Sequence, residues 1–322
     1  MSNIKILDCT LRDGGYVNNW DFGYENIKSI IQELINANLD YIECGFFKDF
    51  EYNKNKSIFN STINLENFLQ TTSSKYTLMI NYGEISLDKI PQNSNIIFRI
   101  AFKKENRYEA LDFCKKIKDN GNNIFINPMY TNSYSTTELL ELVDITNSIN
   151  PHCFTIVDTA GAMKEQDLLS TFFIINNNLK KDIAICFHSH NNLKLSFSNA
   201  QALIKVCRDR ELIIDSTVFG MGRAAGNLCT EVITQHLNDN YNGNYNLVPI
   251  LKILNEQINP IFKKTPWGYS VPYYLAAINS CHPNYAKFLT EKQVEIEKID
   301  KILKSIPENK KDKFDESVLI NL

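Results

Sequence analysis

Short apolar runs recur along the chain at regular spacing: IKILDC (4–9), DYIECGFF (40–47), YTLMIN (76–81), NIIFRIAF (95–102), NIFINPM (123–129), CFTIVD (153–158), IAICFH (183–188) and LIIDSTV (212–218). They are rich in Ile, Val and Phe and nearly continuous, as strands covered on both faces should be. The segments between them place apolar residues three and four apart. Ile27, Ile30, Ile31, Leu34 and Ile35 make one such face in 24–38, and Leu111, Cys114 and Ile117 another in 107–121. Helices are also predicted over 136–148, 164–175, 192–207 and 228–239, with a weaker one over 62–70 and a short one over 85–90 before Pro91.

Eight strands alternating with helices predict an α/β fold, a (β/α)8 TIM barrel. A doubly wound sheet competes, but no Gly-rich dinucleotide loop follows the first strand. From residue 245 the alternation stops, and 247–262, 271–281 and 292–307 read as helices. The expected organisation is a catalytic barrel over 1–244 and a helical C-terminal extension over 245–322, packed on the barrel or on a second subunit. ENKKDKFDE (308–316) reads as a solvated tail.

Composition narrows the classes. Apolar residues are 43% of 322, enough for a large core, and the net charge of −3 fits neither a nucleic-acid nor a membrane-surface binder. No apolar run is long enough to span a bilayer, and MSNIKILDCTL is no signal peptide, so a cytoplasmic enzyme is expected. The eight cysteines are scattered singly without CxxC pairs and read as reduced, buried thiols.

In such barrels chemistry gathers at the carboxyl ends of the strands. Those ends carry DCTLRDGG (8–15), Glu43 and Lys48, Arg99, Asn127, DTAG (158–161), His188 and His190, and GMGRAAGN (220–227). Residues two apart on a strand face one side, so both imidazoles of HSHNN point into the mouth. With a carboxylate from Asp8 or Asp13 they suit a divalent transition ion. A metal-dependent hydrolase barrel is the competitor. That class carries its HxH on the first strand and uses further histidines, whereas this chain has five in all. Asp8 reads as structural, and Lys48, Tyr82, Asn127 and Tyr130 as lining the mouth. Gly220, Gly222 and Gly226 allow a tight loop, with phosphate binding there an open alternative.

Together DCTLRDGG, DTAGAM, HSHNN and GMGRAAGN resemble the metal-dependent lyases and aldolases of the 3-hydroxy-3-methylglutaryl-CoA lyase type, which include 4-hydroxy-2-oxovalerate aldolase and the isopropylmalate synthases. The motifs come in the family's order and span roughly residues 4–240. The run from Trp267 to Leu289 is similar to an aldolase-like subgroup found among polysaccharide-biosynthesis genes. The resemblance implies Asp13, His188 and His190 as metal ligands, and Asn227 as a fourth ligand or a group that holds the others. It implies Arg12 on the oxygen that becomes an enolate and Thr159 on the carboxylate of a 2-oxo acid. Glu43 is expected to partner Arg12 or a substrate, and Arg99 to need a buried partner or a substrate. Tyr16 stands where the aldolases carry a histidine and the CoA-dependent synthases a glutamine. The general base is therefore expected to be Tyr16 acting through a water or His282 from the extension, with a structural role for His282 also open.

The expected function is aldol chemistry between a 2-oxo acid, pyruvate, and an aldehyde, in a homodimer holding one divalent ion. That ion is expected to be Mn or Mg, with Co or Zn open, and a synthetic role in polysaccharide building blocks is part of the expectation. The alternatives are an acyl-CoA-dependent Claisen synthase or lyase and a non-catalytic barrel.

Overall fold

In the computed structural model, which describes residues 3–311 and 313–320, every predicted strand is present. The strands are β1 (Ile4–Asp8), β2 (Tyr41–Phe47), β3 (Ile58–Phe59), β4 (Lys75–Asn81), β5 (Ile97–Phe102), β6 (Ile124–Pro128), β7 (Cys153–Asp158), β8 (Ala184–Ser189) and β9 (Leu212–Ser216). All pairings between them are parallel. Pairing runs β1-β9-β8-β7-β6-β5-β4-β2, and β1 also pairs with β2, which closes an eight-stranded barrel. β3 lies outside it, adding to the end of β2 through Phe46–Ile58 and Phe47–Phe59. Two residues are too few to show a period, which is why the sequence did not announce it.

The helices between strands follow the predicted faces. Tyr24–Asn36 buries Ile27, Ile30, Ile31 and Leu34. Thr136–Ile149 opens with a capping box in which Ser135 and Glu138 satisfy each other's backbone N–H groups. All eight cysteines are free, and seven of them are buried.

Inside the barrel the side chains form layers, as closure of a twisted parallel sheet requires. At the amino-terminal end Tyr41 bonds His152 and Glu211. Above it Leu7, Ile97, Phe125, Cys186 and Ile213 form an apolar layer. The next layer is charged and holds Glu43, Arg99 and Asp215. Inward residues two apart climb through these layers, as Ala184, Cys186 and His188 do along β8.

The extension divides into two parts. Residues 247–264 form a continuous helical segment whose turn widens at Leu254–Ile258, ahead of Pro260, which has no N–H to donate. Its Ile250, Ile253 and Ile258 belong to the barrel's own core. Residues 271–320 carry a separate apolar cluster of Ala276, Cys281, Tyr285, Leu289, Ile299, Leu303 and Ile306. This part contains a helix not predicted above, Pro283–Glu291. The expected tail is instead packed. The Tyr285 hydroxyl donates to the carbonyls of Lys310 and Lys313, His282 N–H donates to the carbonyl of Lys311, and Phe314 stacks on Tyr285 and Phe288. Phe314, the one aromatic residue in this charged run, and these backbone hydrogen bonds together anchor it. No described helix is long and apolar enough to cross a membrane.

Candidate active site

The loop after β1 is fixed from several sides. Asp8 accepts from Thr10 N–H and from the Thr230 hydroxyl, Trp20 Nε1 donates to the carbonyl of Arg12, and Ser57 Oγ donates to that of Leu11. Arg12 and Asp13 are thereby held at the carboxyl end of the barrel, opposite the end of β8. There the candidate ligand atoms of Asp13, His188 and His190 lie within 4.8 Å of one another.

Both imidazoles already have their Nδ1 engaged. His188 Nδ1 donates to Asp215 Oδ2 at 2.9 Å, and His190 Nδ1 donates to the carbonyl of Asp158 at 3.0 Å. These partners set the tautomers and leave two Nε2 lone pairs for a ligand. Asn227 closes a further side. Its Nδ2 donates to Asp13 Oδ2 at 2.7 Å and to the carbonyl of Met221 at 2.9 Å, while its buried Oδ1 has no partner among the described residues. Two imidazole lone pairs, a carboxylate and an orphaned amide oxygen form a donor set that a divalent cation satisfies. The loop that delivers Asn227 needs its glycines. A Cβ on Gly222 would sit 2.3 Å from Asn227 Nδ2, and one on Gly226, at φ +77°, would sit 2.1 Å from the carbonyl oxygen of Gly220.

The charges beneath point the same way. Arg12 Nε donates to Glu43 at 2.7 Å and its Nη1 to Asp13 at 2.5 Å, while Arg99 bridges Glu43 at 3.0 Å and Asp215 at 2.5 Å. With neutral imidazoles, two guanidiniums face three carboxylates, which leaves one uncompensated negative charge in a buried layer. Burial works against ionisation of Asp13, but the Arg12 guanidinium beside it overrules burial and holds the carboxyl well below the usual range. A second grouping of Cys9, His188 and Asp215 is also compact, but the oxygens of Asp215 are taken by Arg99, Cys186 and His188.

A cavity of about 70 Å³ lies over these groups. Arg12, Asp13, His188, His190, Thr159 and Asn127 give its polar wall, and Phe46, Met79, Ala101 and Val157 its apolar wall. Thr159 Oγ1 accepts from Tyr130 N–H at 2.8 Å, so its own proton is free to donate. Tyr16 lies at the rim, edge-on to Trp20 and Phe46, with the Arg223 guanidinium 3.9 Å from the centre of its ring. Burial raises its pKa, so the hydroxyl is a donor at neutral pH.

The structure thus brings together Arg12, Asp13, Tyr16, Thr159, His188, His190 and Asn227. Of the alternatives expected for Glu43 and Arg99, the structure shows the buried partners and not the substrate contacts: Glu43 pairs with Arg12 and Arg99, Arg99 pairs with Asp215, and neither Glu43 nor Arg99 lines the cavity. Lys48 packs over Trp20, Phe46 and Phe50, and Tyr82 lines a separate hollow with Phe113, so neither reaches the cavity. His282 does reach the mouth from the extension, but not as a base. Its Nδ1 accepts the N–H of Asn284 at the start of a helix, which places the proton on Nε2 and leaves no lone pair free. Two participants were missed. Asp215 is the one charged residue in LIIDSTV, a buried charge that had to have a partner, and Arg223 is the one charged residue in GMGRAAGN.

Comparison with known proteins agrees with this geometry. The HMGL-like family model matches residues 3–255. A 4-hydroxy-2-oxovalerate aldolase of Bacillus cereus (strain ATCC 10987 / NRS 248) is 24% identical over 268 residues, covering 80% of this chain and 76% of the relative. The crystal structure of the N-terminal domain of a Bacteroides vulgatus protein provisionally named an aldolase has a TM-score of 0.78 at 26% identity, over 89% of this chain and 96% of that one. The HMG-CoA lyase of Brucella melitensis shares the fold at a TM-score of 0.63 and 12% identity, over 79% of this chain and 96% of that one. The protein is a carbon–carbon lyase, and the chain belongs to the HMGL-like family.

Proposed function

We propose that this enzyme is a divalent-metal-dependent aldolase joining or splitting pyruvate and an aldehyde. The observation that carries the reading is the convergence of the His188 and His190 imidazoles, each with Nδ1 engaged, on the carboxylate of Asp13 beside Arg12, under a cavity sized for a small acid. At about 10–15 Å³ per water, its 70 Å³ corresponds to roughly five waters.

Asp13, His188 and His190 would hold the ion, with Asn227 Oδ1 as a fourth ligand; Mn or Mg suits this mixed oxygen and nitrogen set. A divalent ion there acts as a Lewis acid that draws charge from the keto oxygen. Arg12 is fixed by Glu43 and Asp13, so its remaining N–H groups point at that oxygen without reorganising as the enolate forms. Thr159 donates to the substrate carboxylate, and Phe46, Met79 and Ala101 take the methyl side. Tyr16 would donate to the aldehyde oxygen and supply its proton as that oxygen becomes an alkoxide, and the proton released from the pyruvate methyl group, carried by solvent water, would restore the phenol, so that no net proton is gained or lost. The product is a 4-hydroxy-2-oxo acid, a polar carbon skeleton of the kind a polysaccharide building block needs.

The test is to incubate the Mn-loaded enzyme with pyruvate and a panel of aldehydes, and separately with pyruvate and acetyl-CoA. Mass spectrometry should find adducts equal in mass to pyruvate plus aldehyde, and no free CoA. CoA release without any aldehyde adduct would assign the enzyme to the Claisen class instead.

A further inference from the structure

Above the metal cavity lies a second, larger chamber of about 510 Å³, between the barrel mouth and the extension. Tyr16, Thr159, His190 and Arg223 line both spaces, so they form the neck between them. The outer wall is the 265–270 loop, which is tied to the rim. Trp267 Nε1 donates to the carbonyl of Phe219 at 3.1 Å, and Gly268 N–H donates to that of Ala224 at 3.0 Å. Trp267 also stacks edge-on against Phe262 at 4.9 Å, and Lys194 sits 4.8 Å from the centre of the Tyr269 ring.

Two properties of this chamber bear on the second substrate. It is several times larger than the cavity below, and far larger than a two-carbon aldehyde requires. Its charge is also of one sign. Arg223 and Lys287 line it, and among the described residues no Asp or Glu does. Arg223 has no carboxylate partner among the described residues, and Lys287 has only the exposed Glu291 at 3.8 Å. Burial, with Arg223 adding to it, pushes the His282 pKa down to about 4. Its Nε2–H is a donor, and Ser270 and Asn284 add hydroxyl and amide groups.

We propose that this chamber binds the second substrate, and that this substrate is an aldehyde carrying a carboxylate or phosphate on a polar carbon chain, with Arg223 and Lys287 as its counter-charges. The proposal rests on the aldolase reading for the word aldehyde, while the anion site stands on the chamber itself. The carbonyl end sits at the neck beside Tyr16, and the anionic end lies against the cationic wall. Bond formation joins the enolate carbon to the aldehyde carbon and leaves the anionic group unchanged, so its charge affects binding and not the reacting atoms.

The experiment has two arms. The first compares the Mn-loaded enzyme on pyruvate with glyceraldehyde, glyceraldehyde 3-phosphate, butyraldehyde and succinic semialdehyde. At least one anionic aldehyde should exceed its neutral counterpart in kcat/KM by about tenfold or more, and Lys287→Met should remove most of that margin through KM. The second titrates the same protein calorimetrically with unreactive glycerol 3-phosphate, glycerate, glycerol and coenzyme A. One of the two small anions should bind, more weakly in Lys287→Met and Arg223→Met, and glycerol should not. Equal kcat/KM for neutral and anionic aldehydes, an anion preference indifferent to both substitutions, or coenzyme A binding tighter than the small anions would overturn the proposal. Proton exchange of pyruvate alone reports the aldolase reading separately; its loss would sink that reading and leave calorimetry to decide for the anion site.

Discussion

His188 and Asp215 are joined across neighbouring strands, with Nδ1 of the imidazole 2.9 Å from Oδ2 of the carboxylate. The same oxygen accepts from Arg99, and the other from Cys186. One buried carboxylate therefore sets the tautomer of the imidazole that we propose as a metal ligand and is itself held in place from two further sides.

Asp215→Asn should weaken Mn binding by about 10- to 100-fold, because an amide of the same shape neither supports the His188 tautomer as an anion nor raises the basicity of its Nε2. The measurement is calorimetric titration of metal-stripped protein, with thermal unfolding recorded alongside, since Arg99 loses one of its two carboxylates. An unchanged Mn affinity in a folded variant would show that Asp215 serves Arg99 alone.

Arg12→Lys should keep its metal and lose activity. Lysine retains the charge, but not the fork through which Arg12 is fixed to Glu43 and Asp13 at once. If the guanidinium acts on the developing enolate, kcat should fall by roughly 100-fold, the effect of deleting one oxyanion donor. Metal content by elemental analysis, with kcat measured on the same sample, checks both halves. Near-normal turnover would make Arg12 a support for Asp13 only.

Much of this site was legible because barrels place chemistry at strand ends. His188 and His190 stand where a short motif follows an apolar run, and a strand's two-residue period alone aims both imidazoles the same way, whereas the choice of Asp13 over Asp8 and the role of Thr159 came from the family resemblance. For Glu43 and Arg99 the sequence left two alternatives open for a related reason. They also lie on strands at the right height, but whether such a side chain meets substrate or another charge depends on partners 56 and 116 residues away, which no local pattern encodes. His282 was expected at the mouth and lies there, but its missing lone pair depends on the start of a helix that was not predicted. Within 308–316, Phe314 was the one sign that the segment would be anchored.

The most direct measurement is the exchange of pyruvate methyl protons for deuterium, followed by proton NMR in D2O without any aldehyde. Enolisation needs only the inner cavity. The Mn-loaded enzyme should therefore wash out the methyl signal, and the metal-stripped enzyme and Asp13→Ala should not, since loss of one ligand leaves the ion too weakly held. Exchange that persists at the same rate after metal removal, or that never exceeds a protein-free control containing Mn, would contradict a metal-assisted pyruvate enolate at this site.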